Sequence, residues 1–244
     1  RGDFTDRYMF TADYTYPSSE KLYDWELGYT YTAPRLSLGV NLYYMKYKDQ
    51  LVPMGRINDG YDALNDNVDD SYRRGVELSA SWKVTGWFTA SANATFSQSR
   101  IENYTELRTV YDNDEDWNVI SDGPVALGTT KLAYSPETIA NLILDFHYGG
   151  FEAAFHTQYV GNNENDALSL DAYCVTKLNL SYSFRTRNAR RIRLGLQVNN
   201  LFNAEYENNG YGYSTWFRDS PSQHTALYFP QAPLNVLANV TVKF

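Results

Sequence analysis

Cysteine occurs once in these 244 residues, at Cys174, so the chain holds no internal disulfide framework and no cysteine-based zinc spacing. Histidine is nearly as scarce. His147, His156 and His224 are the three, and none stands at metal-ligand spacing with cysteine or carboxylates. Long apolar runs are missing: Leu142-Ile143-Leu144 is closed at once by Asn141 and Asp145, whereas a membrane-crossing helix needs roughly 20 consecutive apolar residues. Clustered positive charge is missing as well. The net charge is −8, and the one basic group is Arg185-Thr186-Arg187-Asn188-Ala189-Arg190-Arg191, which argues against a nucleic-acid partner. No glycine-rich phosphate loop and no Ser-His-Asp arrangement appears, so neither an enzyme nor a cofactor is expected. There is no recognisable secretory leader and the first residue is Arg1 rather than Met, from which we expect the N-terminal part of a longer protein to be absent here.

What is plentiful is tyrosine, with 22 residues in an aromatic share of 16%, beside a charged share of 20%. That mixture is poor material for a soluble core but suits a transmembrane β-barrel, whose strands need only about 9–11 residues and alternate polar with apolar. Period-two alternation recurs along the chain. In 22–33, Tyr23, Trp25, Leu27, Tyr29 and Tyr31 face one way and Asp24, Glu26, Gly28, Thr30 and Thr32 the other. In 36–47 the apolar face is Leu36, Leu38, Val40, Leu42 and Tyr44, set against Ser37, Gly39 and Asn41. The pattern returns at 75–84, 88–97, 139–148, 151–160, 172–184, 191–202 and 234–244. With a weaker candidate at 7–16, about nine or ten antiparallel strands are expected, and no window of helical period competes.

The connections alternate in length. Tight joins fall at Ala33-Pro34-Arg35, Thr85-Gly86-Trp87, Gly149-Gly150 and Arg185–Arg190, and between them lie long polar loops at about 49–72, 98–137, 161–171 and 203–232. A barrel with short turns on one side of the membrane and long loops on the other has this layout. A two-residue turn at Gly149-Gly150 sets Tyr148 opposite Phe151, Leu144 opposite Phe155 and Leu142 opposite Thr157 on one face, with His147 opposite Glu152 and Asn141 opposite Gln158 on the other. A slip of one residue would scramble both faces. Rings gather near the short turns (Trp82, Trp87, Phe88, Tyr148, Phe151, Tyr182 and Phe184 among them), as they do in a headgroup-level girdle.

Four stretches in order carry a resemblance. Ser18–Tyr29 ends on Glu26-Leu27-Gly28-Tyr29; Tyr72-Arg73-Arg74-Gly75-Val76-Glu77-Leu78 opens a strand; Val198-Asn199-Asn200-Leu201-Phe202-Asn203-Ala204-Glu205-Tyr206 follows later; and Tyr228-Phe229-Pro230-Gln231-Ala232-Pro233 precedes a last strand ending on Phe244. Together they resemble the barrel of TonB-dependent outer-membrane receptors, over essentially the whole chain. Two departures are plain: Leu234 and Asn235 stand where that family often has an arginine after the final proline, and nothing resembles its plug domain or energy-coupling box.

The resemblance implies that residues 1–244 are the C-terminal part of such a barrel, roughly the last nine or ten of about 22 strands. It implies an outer membrane of a Gram-negative bacterium, a bilayer carrying lipopolysaccharide, a TonB complex reached through the missing N-terminal region, and a small-molecule ligand. It also implies the barrel-assembly machinery, for which Phe244 would be the C-terminal signal, and allows a surface lipoprotein. The imported nutrient is expected to be a metal chelate (ferric siderophore, haem or cobalamin), because the large insertions of glycan importers are missing. A glycan importer and a passive substrate-specific porin are the alternatives, and a soluble carbohydrate-binding sandwich is a more distant one. Asp24, Glu26, Asn41, Asn93, Asn141 and Gln158 are expected to face the lumen. Tyr206, Tyr211, Tyr213, Trp216 and Phe217 are candidates for stacking on ligand, or for packing on one another to fold a long loop. Asp112, Asp114, Glu115 and Asp116 offer oxygen ligands for Ca²⁺ but lack the spacing of a calcium loop, so a solvated acidic surface is expected. No metal site is expected.

Overall fold

In a computed structural model the described residues are 17–57, 63–164, 168–186 and 191–243. The strand expected over 7–16, the terminal Phe244 and most of the basic turn lie outside them. Every regular element among the described residues is a strand. In chain order these are β1 (Lys21–Ala33), β2 (Leu36–Ile57), β3 (Ala63–Lys83), β4 (Phe88–Tyr111), β5 (Val119–Lys131), β6 (Thr138–Tyr148), β7 (Phe151–Val160), β8 (Asn163–Glu164), β9 (Ser169–Leu170), β10 (Tyr173–Arg185), β11 (Arg191–Asn199), β12 (Glu207–Phe217), β13 (Gln223–Pro230) and β14 (Asn235–Lys243). Nine of them form one antiparallel wall in the order β1-β2-β3-β4-β6-β7-β10-β11-β14.

Register keeps the two faces of that wall distinct. One rung runs Tyr31, Leu38, Ala80, Ala92, Leu142 and Thr157 across six strands. The neighbouring rung on the opposite face runs Ser79, Asn93, Asn141 and Gln158. At Gly149-Gly150 the pairs Tyr148–Phe151, Leu144–Phe155 and Asn141–Gln158 form as expected, and Gly149 supplies the left-handed φ of 61° that the turn needs. Trp25, Leu27, Tyr29, Tyr148 and Val240 are more than half exposed. Among the described residues the apolar rows have no second protein layer over them, and the largest apolar core is a small cluster of Val52, Val68, Ile101 and Leu132 with Tyr104 against it. An apolar face of this extent in water would be unfavourable by about 25 cal/mol per Å²; acyl chains are the medium that removes the cost.

Rings mark both ends of the apolar band. At the short-turn end Phe88 stacks on Phe146 at 4.5 Å and Trp87 lies 6.1 Å from each. At the other end an unbroken series crosses three strands from Tyr23 to Trp25, Tyr44 and Tyr72, with spacings of 6.3, 5.8 and 6.2 Å. The sequence reading had located the first row and missed the second, because Tyr72 sat in a presumed loop.

That presumed loop is the main correction. Residues expected as loops at 49–72 and 98–137 continue as strand: β2, β3 and β4 run for 22, 21 and 24 residues, about twice what a bilayer requires. Alternation fails in the extensions because Asp49 and Asn103 adopt left-handed φ values of 56° and 51°. Beyond Asp49, Gln50 accepts a hydrogen bond from Ser71 and Val52 joins Ile101, so the faces exchange while the ladder continues. The expected loop 203–232 likewise holds the hairpin β12–β13, and β8 pairs with β9 within 161–171.

Gly75, the glycine of the Arg-Gly-Val-Glu-Leu stretch, has a packing reason. A Cβ there would stand 2.4 Å from the Phe96 carbonyl and 2.6 Å from the Tyr43 hydroxyl, because the Tyr43 ring lies across its cross-strand partner.

Candidate functional site

The polar face of the wall is a hydrogen-bonded lattice. The Asn41 amide donates to Glu26 and to Glu77, each at 3.3 Å, tying three strands through one side chain. Asn141 donates to Asn93 at 3.0 Å, and its carbonyl oxygen meets His156 Nε2 at 3.1 Å. Lower on the wall, Glu152 accepts from Ser181 at 2.9 Å and from Arg193 at 2.6 Å. Asp24 and Gln158 sit on the same face by register, opposite Met45 and Asn141. All six residues expected to face the lumen therefore share the face turned away from the apolar rows.

The second assembly lies at the long-loop end. After β11 the chain turns at Asn200, rises through β12 and descends through β13. The tip of β12 pairs in parallel with the tip of β4 (Trp216 with Val110, Phe217 with Tyr111). The backbone then continues the seam, Arg218 N–H donating to Tyr111 at 2.9 Å and Asp219 N–H to Asp112 at 2.8 Å. In the wall β11 and β4 are separated by β6, β7 and β10, so the hairpin forms a canopy across the ends of three strands. Tyr134, between β5 and β6, donates its hydroxyl to the Gly210 carbonyl at 2.9 Å. Leu168 and Leu170, from the β7–β10 connection, are buried, with Leu168 against Gly210.

The five candidate rings occupy different places in this canopy. Tyr206 stacks on Tyr173 at 4.5 Å, at its root. Phe217 is buried at the seam, 5.1 Å from Trp117 and 6.1 Å from Tyr111. Trp216 lies between the Arg108 guanidinium, 3.9 Å from its ring centre, and His224, which meets it edge-on at 5.5 Å. Tyr211 and Tyr213 share one face of β12 with ring centres 5.9 Å apart, and Tyr213 is exposed. The structure brings Trp216, Arg108, His224 and Ser214 together (Ser214 Oγ lies 2.8 Å from His224 Nδ1), and places Tyr206 and Phe217 at the two ends. Arg108 and His224 escaped the sequence reading, since contacts across more than a hundred residues leave no local pattern.

The acidic run closes a turn. Asp112 accepts from the backbone N–H groups of Asn113 and Asn118 and from the Asn118 amide. Asp114 accepts from Ser220 at 2.9 Å across the seam, and Asp116 from Asn113 at 3.2 Å. Among the described residues no group of three or more histidine, cysteine, aspartate or glutamate side chains gathers as a metal site. The Asn118 amide, followed by the two backbone donors, holds the Asp112 carboxyl below the ordinary carboxylate range, and Arg218 does the same to Asp219. A depressed carboxyl contributes stability that is present above its unfolded value of about 3.9 and is lost as pH falls through the folded value. The seam is therefore expected to loosen on acidification below about pH 4. Fluorescence of Trp117 checks this: Asp112→Asn should remove the acid transition, and an unchanged transition in that variant would refute the assignment.

Comparison with known proteins bears on both assemblies. The family described as "TonB dependent receptor-like, beta-barrel" matches residues 1–201. The chain belongs to that family. Its members are receptors and transporters of the bacterial outer membrane rather than enzymes. No protein of curated function matches in sequence. Solved structures of similar fold include the ferric-catecholate import receptor Fiu of E. coli K12, at 16% identity and a TM-score of 0.61, covering 98% of this chain and 31% of Fiu. The ferric yersiniabactin uptake receptor FyuA of Yersinia pestis gives 19% and 0.64, with 92% and 30% covered. The ferripyoverdine receptor of Pseudomonas aeruginosa gives 13% and 0.57, with 91% and 27% covered. This TonB-dependent receptor barrel chain thus spans about a third of the length of the structures it matches, and the apolar rows of its wall are the lipid-facing surface that the family's location requires.

Proposed function

We propose that this chain supplies wall and external loops to an outer-membrane receptor that imports a metal chelate, a ferric siderophore, haem or cobalamin, with energy delivered through TonB. The plug and the TonB-contacting segment belong to the protein outside these 244 residues. The observation that carries the reading is the pairing of a hydrogen-bonded polar wall face with an aromatic canopy above it, in a chain of this family. Asp24, Glu26, Asn41, Asn93, Asn141 and Gln158 face the lumen and hold the plug or line the path past it. Tyr211, Tyr213 and Trp216 meet ligand at the outer mouth, with Tyr206 and Phe217 fixing the hairpin that presents them. Phe244 is the aromatic signal for the barrel-assembly machinery.

The test is uptake of ⁵⁵Fe-labelled chelates by iron-starved cells whose sole receptor is the full-length protein. Tyr213→Ala, at an exposed ring, is expected to weaken uptake about tenfold through lost stacking, and loss of TonB to abolish it. Uptake that survives loss of TonB would instead make the protein a passive porin. Growth restored by an oligosaccharide and by no chelate would overturn the substrate class.

A further inference from the structure

Cations stand on the lipid-facing side of the wall just beyond its outer ring of aromatics. Register sets Tyr44, Arg74 and Gln98 on one rung, Lys46, Tyr72 and Arg100 on the next, and Lys48, Asp70 and Glu102 on the third. One rung toward the bilayer centre from Arg74 the same face carries Leu42, Val76 and Phe96, so these charges belong to the surface that meets lipid. Their charge is only partly answered. Asp70 is shared by Lys46 at 3.2 Å and Lys48 at 2.7 Å, while Glu102 is 3.9 Å from Lys46. Arg100 pairs with Glu137 at 2.6 Å. Arg74 has neutral partners, the Gln98 carbonyl oxygen at 2.9 Å and the Tyr72 ring at 5.3 Å. Four cations thus meet three carboxylates here, in a chain whose overall charge is strongly negative.

Deeper on the same face lies an apolar recess of about 520 Å³. Ala80, Ala92, Ala94 and Ala140 form its floor, while Leu38, Leu78, Leu142 and Tyr159 stand around them. Along β3, Arg74 is four residues from Leu78 and six from Ala80. At roughly 3.3 Å per residue that is about 13–20 Å, close to half of a hydrocarbon core of about 30 Å, or the depth of one leaflet.

We propose that this face binds one molecule of a phosphorylated glycolipid of the outer leaflet, lipopolysaccharide, with its phosphates on Arg74, Lys46, Lys48 and Arg100 and one acyl chain in the alanine-floored recess. Arginine and lysine are the residues that take phosphate by charge-assisted hydrogen bonds. The width of the patch selects the headgroup. From β2 to β4 is two strand spacings, about 10 Å, which suits two phosphates held apart by a disaccharide better than a single phosphodiester. The proposal rests on the outer-membrane reading above and deepens it by naming the lipid that the wall holds.

Native mass spectrometry of the full-length protein extracted from outer membranes tests it. After delipidation, the wild type should rebind bisphosphorylated lipid A at least tenfold more tightly than the dephosphorylated form or phosphatidylglycerol. Arg74→Glu combined with Lys46→Glu should lose that preference, and Arg74→Lys should retain it. Equal binding of the dephosphorylated lipid would leave only the recess and overturn the phosphate site, and equal binding of phosphatidylglycerol would overturn the glycolipid. Unchanged binding by the doubly reversed variant would refute the assigned residues. Fractionation and the heat-dependent gel mobility of folded barrels separate this from the wider reading. A folded outer-membrane protein without the lipid preference sinks this inference alone; a protein absent from that membrane sinks the reading beneath it.

Discussion

Replacing Asn200 by alanine is expected to cost about 2–4 kcal/mol in the full-length protein, read as a lowered denaturant midpoint for refolding into lipid vesicles. Two penalties combine. Asn200 holds a left-handed φ of 50°, where a residue with a Cβ and no polar side chain is disfavoured by roughly 1–2 kcal/mol. It is also 3% exposed, donating to the carbonyls of Ala204 at 2.8 Å and Ala232 at 3.3 Å while accepting from Ala204 N–H at 2.8 Å. Stripping buried groups of partners costs roughly 1–3 kcal/mol. Three residues on, Asn203 repeats the device: φ is 51° and its side-chain oxygen accepts from Leu234 N–H at 2.8 Å. The pair pins the start of the last strand to the end of β11. Asn200→Gly separates the penalties, since it relieves the backbone but not the lost hydrogen bonds. Glycine should recover roughly a third to a half of the alanine deficit; a glycine variant as damaged as alanine would remove backbone strain from the account.

Leu142→Arg is expected to cost about 2–4 kcal/mol, the price of arginine at a bilayer midplane. Leu142 shares a rung with Ala92 and Thr157 and lies between the ring cluster at the short turns and Tyr159 toward the outer side. Its side chain is exposed from the wall, so arginine would meet hydrocarbon with no polar partner. Gln158→Arg, on the adjacent rung of the opposite face, should cost less than 1 kcal/mol. Refolding yield in vesicles compares the two directly. Equal tolerance would mean that the apolar rows do not face lipid, and the family's placement of this wall would then fail for this protein.

Much of the wall was legible because a half-buried strand writes its two faces into alternate residues. Lipid contact on one side and polar contact on the other made the alternation strict in 22–47, 75–97 and 139–160, and the pairing about Gly149-Gly150 followed from a two-residue turn. Legibility ended where that contrast ended. Above the bilayer both faces of β2, β3 and β4 become mixed, and the left-handed kinks at Asp49 and Asn103 shift the phase, so continuous strands read as loops. The β12 sequence, rich in glycine, asparagine and tyrosine, resembles loop material because its partner is another loop tip. The Asn-Asn-Leu-Phe-Asn stretch was visible only as a family likeness; its reason, two left-handed asparagines whose side chains capture a distant segment, needs coordinates. The candidate rings were found by composition, but only distances separate exposed Tyr213 from buried Phe217.

The parallel seam between β12 and β4 has a consequence for what the outside world can recognise. Residues 112–118 and 207–230 sit side by side although about a hundred positions separate them, so an antibody or phage adhesin raised against whole cells would perceive them as one composite epitope. The connection at 168–172, with Leu168 and Leu170 tucked under that arch, would stay antigenically silent until the arch is cut.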